Sequence, residues 1–388
     1  MTRALFWLSA GLLGYAQVGY GLLLALLAHL KGEGQSLPLS HPSASPAGEG
    51  LSLHRGGIEP DVSLVIAAYA EEAVIAGKVA DALALDWPRE KLEIVVAVDG
   101  AADATAQVAR EAGADVVLEL PRGGKMRAQD AGVAAARGEL LAFSDANARW
   151  EPTALRALAA PFADPEVAYA CGQVAFVNEA GTNQEGLYWR YEMWLRAKES
   201  ALASVTGGNG AIYAVRREDY VVPDVPMGHD LFLPFTLVRR GRRAVYVPEA
   251  RATEKMVPSI EGEWARKRRM MTQAWPIVLH GGLLDLRGQP PLYALMLASH
   301  RLLRYASPFL HLIALLASLL LSRHRLYRAA GLAQLALVAA AAAGGTVRAR
   351  PLLIARYYVL TTAALAAGLH DHLRHGTPAS WEPAQGTR

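Results

Sequence analysis

From Asp61 onward the chain alternates between two hydrophobic patterns. Residues 62–69 form an apolar run broken only by Ser63, whereas residues 71–85 place their apolar positions three to four apart. The first pattern suits a strand buried on both faces and the second an amphipathic helix. The order then repeats. A strand at 92–98 closes on Asp99 and is followed by a helix over 103–112. A strand at 115–120 precedes a helix over 124–136, and the run Leu140-Leu141-Ala142-Phe143-Ser144-Asp145 makes a fourth strand. Repeated units of this kind predict an α/β fold with a doubly wound, mainly parallel sheet. Crossover handedness puts the ends of all four strands on one edge, where open α/β sheets bind ligands. Tyr69, Glu71, Asp99, Lys125 and Asp145 therefore converge although they are scattered in sequence.

Outside this core the pattern changes. Residues 4–30 are apolar and uncharged, long enough to cross a bilayer. The run is too long for a signal-peptide core and no clear A-x-A site closes it, so an uncleaved anchor over 1–30 is expected. Residues 31–60 turn to Gly, Ser, Pro and Leu, as in a flexible linker. A folded α/β domain is expected over 61–258. Within it, 167–177 reads as a strand and 184–204 as an amphipathic helix carrying Leu187, Tyr188, Tyr191, Trp194 and Leu195. Thr206-Gly207-Gly208-Asn209-Gly210-Ala211 permits close backbone approach to a ligand before a strand at 211–215. A helix opens at Gly228-His229-Asp230, where Asp230 has the character of an N-cap. Interfacial helices are expected over 259–291. The stretch 261–275 is basic, with Trp264, Met270, Met271 and Trp275, and suits a segment lying on anionic lipid. Residues 292–388 contain three apolar stretches near spanning length, at 306–321, 329–345 and 352–369. His300, Arg301 and Arg304 make a cytosolic flank for the first. The basic segment 322–328 conflicts with an external loop unless those helices form a hairpin that does not fully cross.

Composition narrows the chemistry. Of 388 residues, 52% are hydrophobic and 19% charged, which is apolar for a soluble enzyme. A net charge of +3 with no basic–aromatic stripe gives no nucleic-acid partner. The single cysteine, Cys171, rules out an internal disulfide framework and reads as a small buried hydrophobe. The first strand is followed by Tyr69-Ala70-Glu71-Glu72, without the glycines of a dinucleotide site, and Gly124-Lys125 leads into Met126, not the Ser or Thr of a P-loop. Tyr69 can stack on a base, Asp99 can accept from a ring N–H, and Lys125 can neutralise phosphate. Asp145 and Asn147, two apart on a turn, can share one hard cation such as Mg²⁺ or Mn²⁺.

These residues resemble the membrane-bound family 2 glycosyltransferases, inverting enzymes with a GT-A fold. Ala67-Ala68-Tyr69-Ala70-Glu71-Glu72 is similar to their first motif, with Ala70 in place of an Asn. Val98-Asp99-Gly100-Ala101-Ala102-Asp103-Ala104-Thr105 is similar to the second, and Gly124-Lys125-Met126-Arg127-Ala128 to the third. Ser144-Asp145-Ala146-Asn147 corresponds to the metal-binding D-x-D as a D-x-N variant. The resemblance implies a donor site of Ala68, Tyr69, Glu71, Asp99, Lys125, Ser144 and Asp145, with Asp145 and Asn147 on the cation. It implies a loop of Gly207, Gly208 and Asn209 under sugar and acceptor, and Asp230 as general base, with His229 where the family has an acid. Arg266-x-x-Arg269-Met270 stands where the family has Q-x-x-R-W, making Arg266 and Arg269 diphosphate contacts. The implied activity is transfer of a sugar from a nucleotide-diphosphate donor, UDP-linked, to a lipid-linked or amphipathic acceptor at the cytosolic face of the cell membrane. Two other readings compete: a processive polysaccharide synthase, and a GT-A-like scaffold without activity.

Overall fold

The structure, a computed structural model, describes residues 1–32, 59–100, 102–177, 186–223, 227–255 and 260–377. Most of the expected linker, Gln184, the side chains of Leu187 and Tyr188, and Val257-Pro258-Ser259 lie outside the described residues.

Strands β1 (Val62–Ala68), β2 (Leu92–Asp99), β3 (Val116–Leu120) and β4 (Leu140–Asp145) pair in parallel, in the order β3-β2-β1-β4. Every residue of β1 and β2 is buried, because helices cover both faces. Alternate residues feed two cores: Leu64, Ile66, Ile94 and Val96 enter one, Val65, Val95 and Phe143 the other. The sheet continues through β7 (Tyr213–Arg216), β6 (Val167–Val177), β8 (Arg243–Lys255) and the short β5 (Arg149–Trp150). This half is mixed: β7 runs antiparallel to both β4 and β6, while β6 and β8 are parallel. The chain is thus a mostly parallel, GT-A-type α/β sheet with an irregular second half.

Two local departures from the hydrophobic pattern have physical causes. The helix expected over 71–85 starts only at Ile75. Ala70 sits at φ 51, a left-handed conformation that turns the chain before a helix can begin. That conformation costs a non-glycine residue about 1–2 kcal/mol, and Asn tolerates it better than Ala. The helix His229–Arg239 is capped by the Gly228 backbone, so Asp230 lies inside its first turn and is not the N-cap.

Among the described residues, four helices are long and apolar enough to cross a membrane: Thr2–Leu30, Pro291–Leu320, Arg325–Ala343 and Arg350–His375. The first two each contain a wide π-turn, at Tyr15–Gly19 and at Leu297–Leu302. The basic helix Ile260–Leu279 is docked on Arg350–His375. Arg268 makes paired bonds of 2.6 and 2.7 Å to Asp371, and the indole N–H of Trp275 donates to the Leu365 carbonyl. Trp275, expected to meet lipid, is therefore buried against protein, while Met270 stays exposed.

Candidate functional site

Parallel register sets the ends of β1, β2 and β4 side by side, with Ala68 opposite Val98 and Ala67 opposite Asp145. Just past these ends the polar groups gather. The Arg122 guanidinium lies 3.1 Å from the centre of the Tyr69 ring, so that ring already has a cation on one face. Glu71 is buried, and its backbone N–H donates to Thr105 Oγ1 at 2.8 Å. Asp99 is 1% exposed. It accepts from the backbone N–H groups of Gly123 (2.6 Å) and Gly124 (2.9 Å), with Arg122 Nη1 at 3.5 Å. Gly124 has φ 93, which suits glycine and sets the turn into the helix Lys125–Ala135. Asp99 thus shapes the loop that delivers Lys125. A shallow cleft of 210 Å³ beside it is lined by Leu120, Arg122, Gly123 and Arg127.

Lys125 donates to Asp145 Oδ1 across the edge. Burial pushes its ammonium down, but the charge and hydrogen bond of Asp145, with the charges of Asp230 and Glu254, hold it above its ordinary value. Ser144 is buried behind Asp145, donating to its carbonyl. Asn147 is half-buried on the turn closed by the Ala148 N–H to Asp145 carbonyl bond (3.2 Å).

Two further groups at this centre were not foreseen from sequence. Lys78 is 1% exposed; its Nζ donates to the Ala148 carbonyl at 2.8 Å and lies 5.1 Å from the Trp150 ring centre. Burial pushes its pKa down to about 7, against the attraction of Asp81 and Asp145. Glu254 is the penultimate residue of the long strand β8, next to its pairing with β5 beyond the Asp145 turn. Burial and then the charge of Asp145 push it up to about 7, against Lys125 and Arg266. On a helix and on an alternating strand, neither residue carries a local signal of burial.

The resemblance implies a divalent cation, and the donor set suits one. Asp145, Asn147 and Glu254 offer hard oxygens, and a dication beside them would offset the repulsion that Asp145 adds to burial in raising the Glu254 carboxyl. Asp145 and Glu254 are the two carboxylates of this set; among the described residues no group of three or more His, Cys, Asp or Glu side chains is placed to hold a metal, at this site or at the His-rich end of Arg350–His375.

The second half of the site is a loop, 206–210, pressed between these groups and the rest of the protein. Asn209 Nδ2 donates to the Gly172 carbonyl (2.7 Å) and its Oδ1 accepts from the Ile212 N–H (3.0 Å), so Asn209 pins the loop. A Cβ on Gly208 would fall 1.9 Å from Tyr169 Oη, a buried hydroxyl without a partner. Gly208 N–H donates to the Asp230 carbonyl (2.7 Å), and its own carbonyl accepts from Arg196 (3.0 Å). A Cβ on Gly210 would lie 3.3 Å from Lys125 Nζ and 3.8 Å from Asp145 Oδ2. The loop therefore bridges the Lys125–Asp145 pair and the Asp230 helix. His229 is 1% exposed, facing Tyr213, Tyr220 and Asp130 at 3.3–3.5 Å, and anchors that helix inwardly. Arg266 makes a two-pronged bond to Glu263 at 2.8 Å, and Arg269 follows on the same helix, half-buried. Cys171 is wholly buried, its thiol pushed up to about 11 by that burial.

Residues 63–221 match the family model of glycosyl transferase family 2. No curated protein matches the chain in sequence. Among solved structures, the mannosyltransferase PcManGT from Pyrobaculum calidifontis, in complex with GDP-Man and Mn²⁺, is similar in fold over 96% of this chain and 99% of that one, with TM-score 0.69 and 21% identity. Glucosyl-3-phosphoglycerate synthase from Mycobacterium tuberculosis, solved with Mn²⁺, UDP and glucosyl-3-phosphoglycerate, covers 59% of this chain and 84% of its own at 20% identity and TM-score 0.44.

Proposed function

Because the chain carries a glycosyl transferase family 2 domain on a GT-A-type fold, and is a glycosyltransferase, we propose that it inverts the anomeric centre of a nucleotide-diphosphate sugar in moving that sugar to a lipid-linked or amphipathic acceptor at the cytosolic membrane face. The observation that carries this reading is the 206–210 loop, which abuts Lys125 and Asp145 at one end and bonds to Asp230 at the other. One short loop thus touches both the Lys125–Asp145 pair and the backbone of Asp230, which supports reading Lys125 as the phosphate-binding cation and Asp230 as the base of one site.

In this reading Asp230 takes the acceptor hydroxyl proton as that oxygen bonds to C1. The bond from C1 to the diphosphate oxygen breaks, and the electron pair leaves with the nucleoside diphosphate. Lys125 neutralises that diphosphate, as Arg266 and Arg269 do from the membrane side. A Mg²⁺ or Mn²⁺ on Asp145, Asn147 and Glu254 supplies further charge stabilisation when bound. Asp99 holds the turn behind Lys125, and Tyr69 and Arg122 offer a flat cationic wall to a base. The four apolar helices favour an acceptor with an apolar portion. Met270, exposed where a gripping Trp would serve a polymer synthase, favours one or few additions over a long chain.

The test is transfer by the purified full chain from UDP- and GDP-linked sugars to a membrane lipid extract, with Mg²⁺, Mn²⁺ or chelator. Discrete single additions are expected by mass spectrometry, lost with chelator and in Asp145→Ala. Long polymer that stays with the enzyme would favour the synthase, and no turnover of any donor would favour the scaffold.

A further inference from the structure

A buried ionic network runs from the first two membrane helices to the 206–210 loop, and it meets at Glu199. This residue lies on the helix Gly186–Leu202 and is fully buried. Its Oε1 accepts from the Tyr20 hydroxyl (2.5 Å), on the N-terminal membrane helix, and from His300 Nδ1 (2.7 Å), on the helix Pro291–Leu320. Its Oε2 accepts from the Thr206 hydroxyl (3.0 Å) and backbone N–H (3.3 Å). Arg301, next to His300, donates from Nε to Thr206 Oγ1 (3.0 Å), and its guanidinium lies where a Gly207 side chain would be. His300 Nε2 faces Glu192 at 3.3 Å, which Arg304 also holds. His300 and Arg301 lie in the π-turn of the second helix, Tyr20 directly follows that of the first, and Tyr15 and Ser299 join the two turns at 2.8 Å. Such wide turns recur at functional sites.

A carboxylate taken wholly out of water is tolerable only with full compensation, and here the compensating donors come from three separate elements. Burial pushes the Glu199 carboxyl up, but His300 and Arg301 hold it below its ordinary value, so it carries its charge. Thr206 opens the loop whose Gly208 bonds to Asp230 and whose Gly210 lies on Lys125 and Asp145. We propose that Glu199 is a positioning residue: through Thr206 it fixes the loop between base and diphosphate site, and it does so only while Tyr20 and His300 are docked on it. The glycosyltransferase would then be competent only with both membrane helices seated. This inference rests on the transferase reading above for its kinetic consequence, but not for its structural one.

The experiment uses the full chain in lipid nanodiscs, with hydrogen–deuterium exchange over residues 203–212 and steady-state kinetics read side by side. Tyr20→Phe and Thr206→Val each remove one hydroxyl that donates to Glu199 and keep the side-chain shape. Both should speed exchange of the loop amides. Both should lower kcat by 10- to 100-fold, on the order of the cost of an ångström of misplacement, with donor KM unchanged. Thr206→Ser should recover most of the loss. Tyr358→Phe removes a hydroxyl that bridges two membrane helices at His311, away from the loop, and should move neither readout. Unchanged loop exchange in both Tyr20→Phe and Thr206→Val would overturn the proposal, as would an equal effect of Tyr358→Phe. If the wild-type chain transfers no sugar, the transferase reading fails while exchange still decides the coupling.

Discussion

The two halves of the sheet build their parts of the site in different ways. In the parallel half, each polar group ends a strand or follows one by a few residues and finds its partner across the same edge. Asp99 holds Gly123 and Gly124, and Lys125 holds Asp145. In the mixed half, the groups are held from several separate elements: Asn209 by Gly172 of β6, Gly208 by Arg196 and Thr206 by Glu199 of the helix Gly186–Leu202, and Thr206 again by Arg301 of the helix Pro291–Leu320. In the proposed reading, the donor side is then a property of a repeated βα unit, and the acceptor side a property of the assembled protein with its long apolar helices. Substitutions in the first should act on donor binding, and substitutions in the second on turnover.

The sharpest way to break that division is Asp230→Asn. The amide keeps the shape of the side chain, and the Asp230 carbonyl still receives Gly208, so the loop should stay in place. What is lost is the carboxylate that the proposed mechanism uses to remove the acceptor proton. Turnover should fall by roughly 10²–10⁴-fold, the range for loss of general-base catalysis, while nucleotide diphosphate binding measured by calorimetry stays as in the wild type. Wild-type turnover would move the base elsewhere, and weakened nucleotide binding would dissolve the distinction between the halves.

A smaller effect is expected from Asp99→Asn, on the opposite side of the comparison. One Asp99 oxygen must become an amide N–H, which cannot accept from Gly123 or Gly124. Losing a hydrogen bond to a charged acceptor costs about 1.5–3 kcal/mol. The turn before Lys125 should loosen, weakening donor binding by about tenfold or more, with kcat at saturating donor little changed. A fall in kcat with donor affinity intact would place Asp99 in the chemistry.

The same contrast explains what the hydrophobic pattern could reveal. The four parallel strands and the convergence of Asp99, Lys125 and Asp145 follow from periodicity and handedness alone, because both are local or topological rules. The start of the helix at Ile75 was missed because one residue, Ala70, takes a left-handed turn that no apolar pattern records. Glu199 was hidden for another reason. On a helix it looks like any solvated charge, and only Tyr20 and His300, each more than 100 positions away, reveal its burial. Glu254 was likewise concealed in a strand that alternates apolar and polar residues.

Lys78 crosses the division, and it yields the smallest but most specific expectation. It belongs to the first helix of the parallel half, yet its ammonium is buried under Trp150 and grips the carbonyl of Ala148, past the Asp145 turn. Its pKa falls from the ordinary 10.5 to about 7 because burial disfavours the charged form. Below pH 7 both folded and unfolded chains hold this proton, so Lys78 adds no pH dependence there. Between about 7 and 10.5 the unfolded chain holds a proton that the folded one has released. Stability then rises with pH across that window, since the unfolded state binds more protons. Lys78→Met keeps the length and apolar stem but cannot titrate, and it leaves the Ala148 carbonyl without its donor. The melting temperature of the wild type relative to this variant should therefore climb between pH 7 and 9. A change of about 2–4 °C is expected for each kcal/mol of linkage in a domain of this size. A constant difference across that range would mean that Lys78 stays protonated in the fold, held by Asp81 and Asp145. Lys78 would then act as a fixed positive charge behind the Asp145 turn, and the donor side would owe its electrostatics to a long-range contact after all.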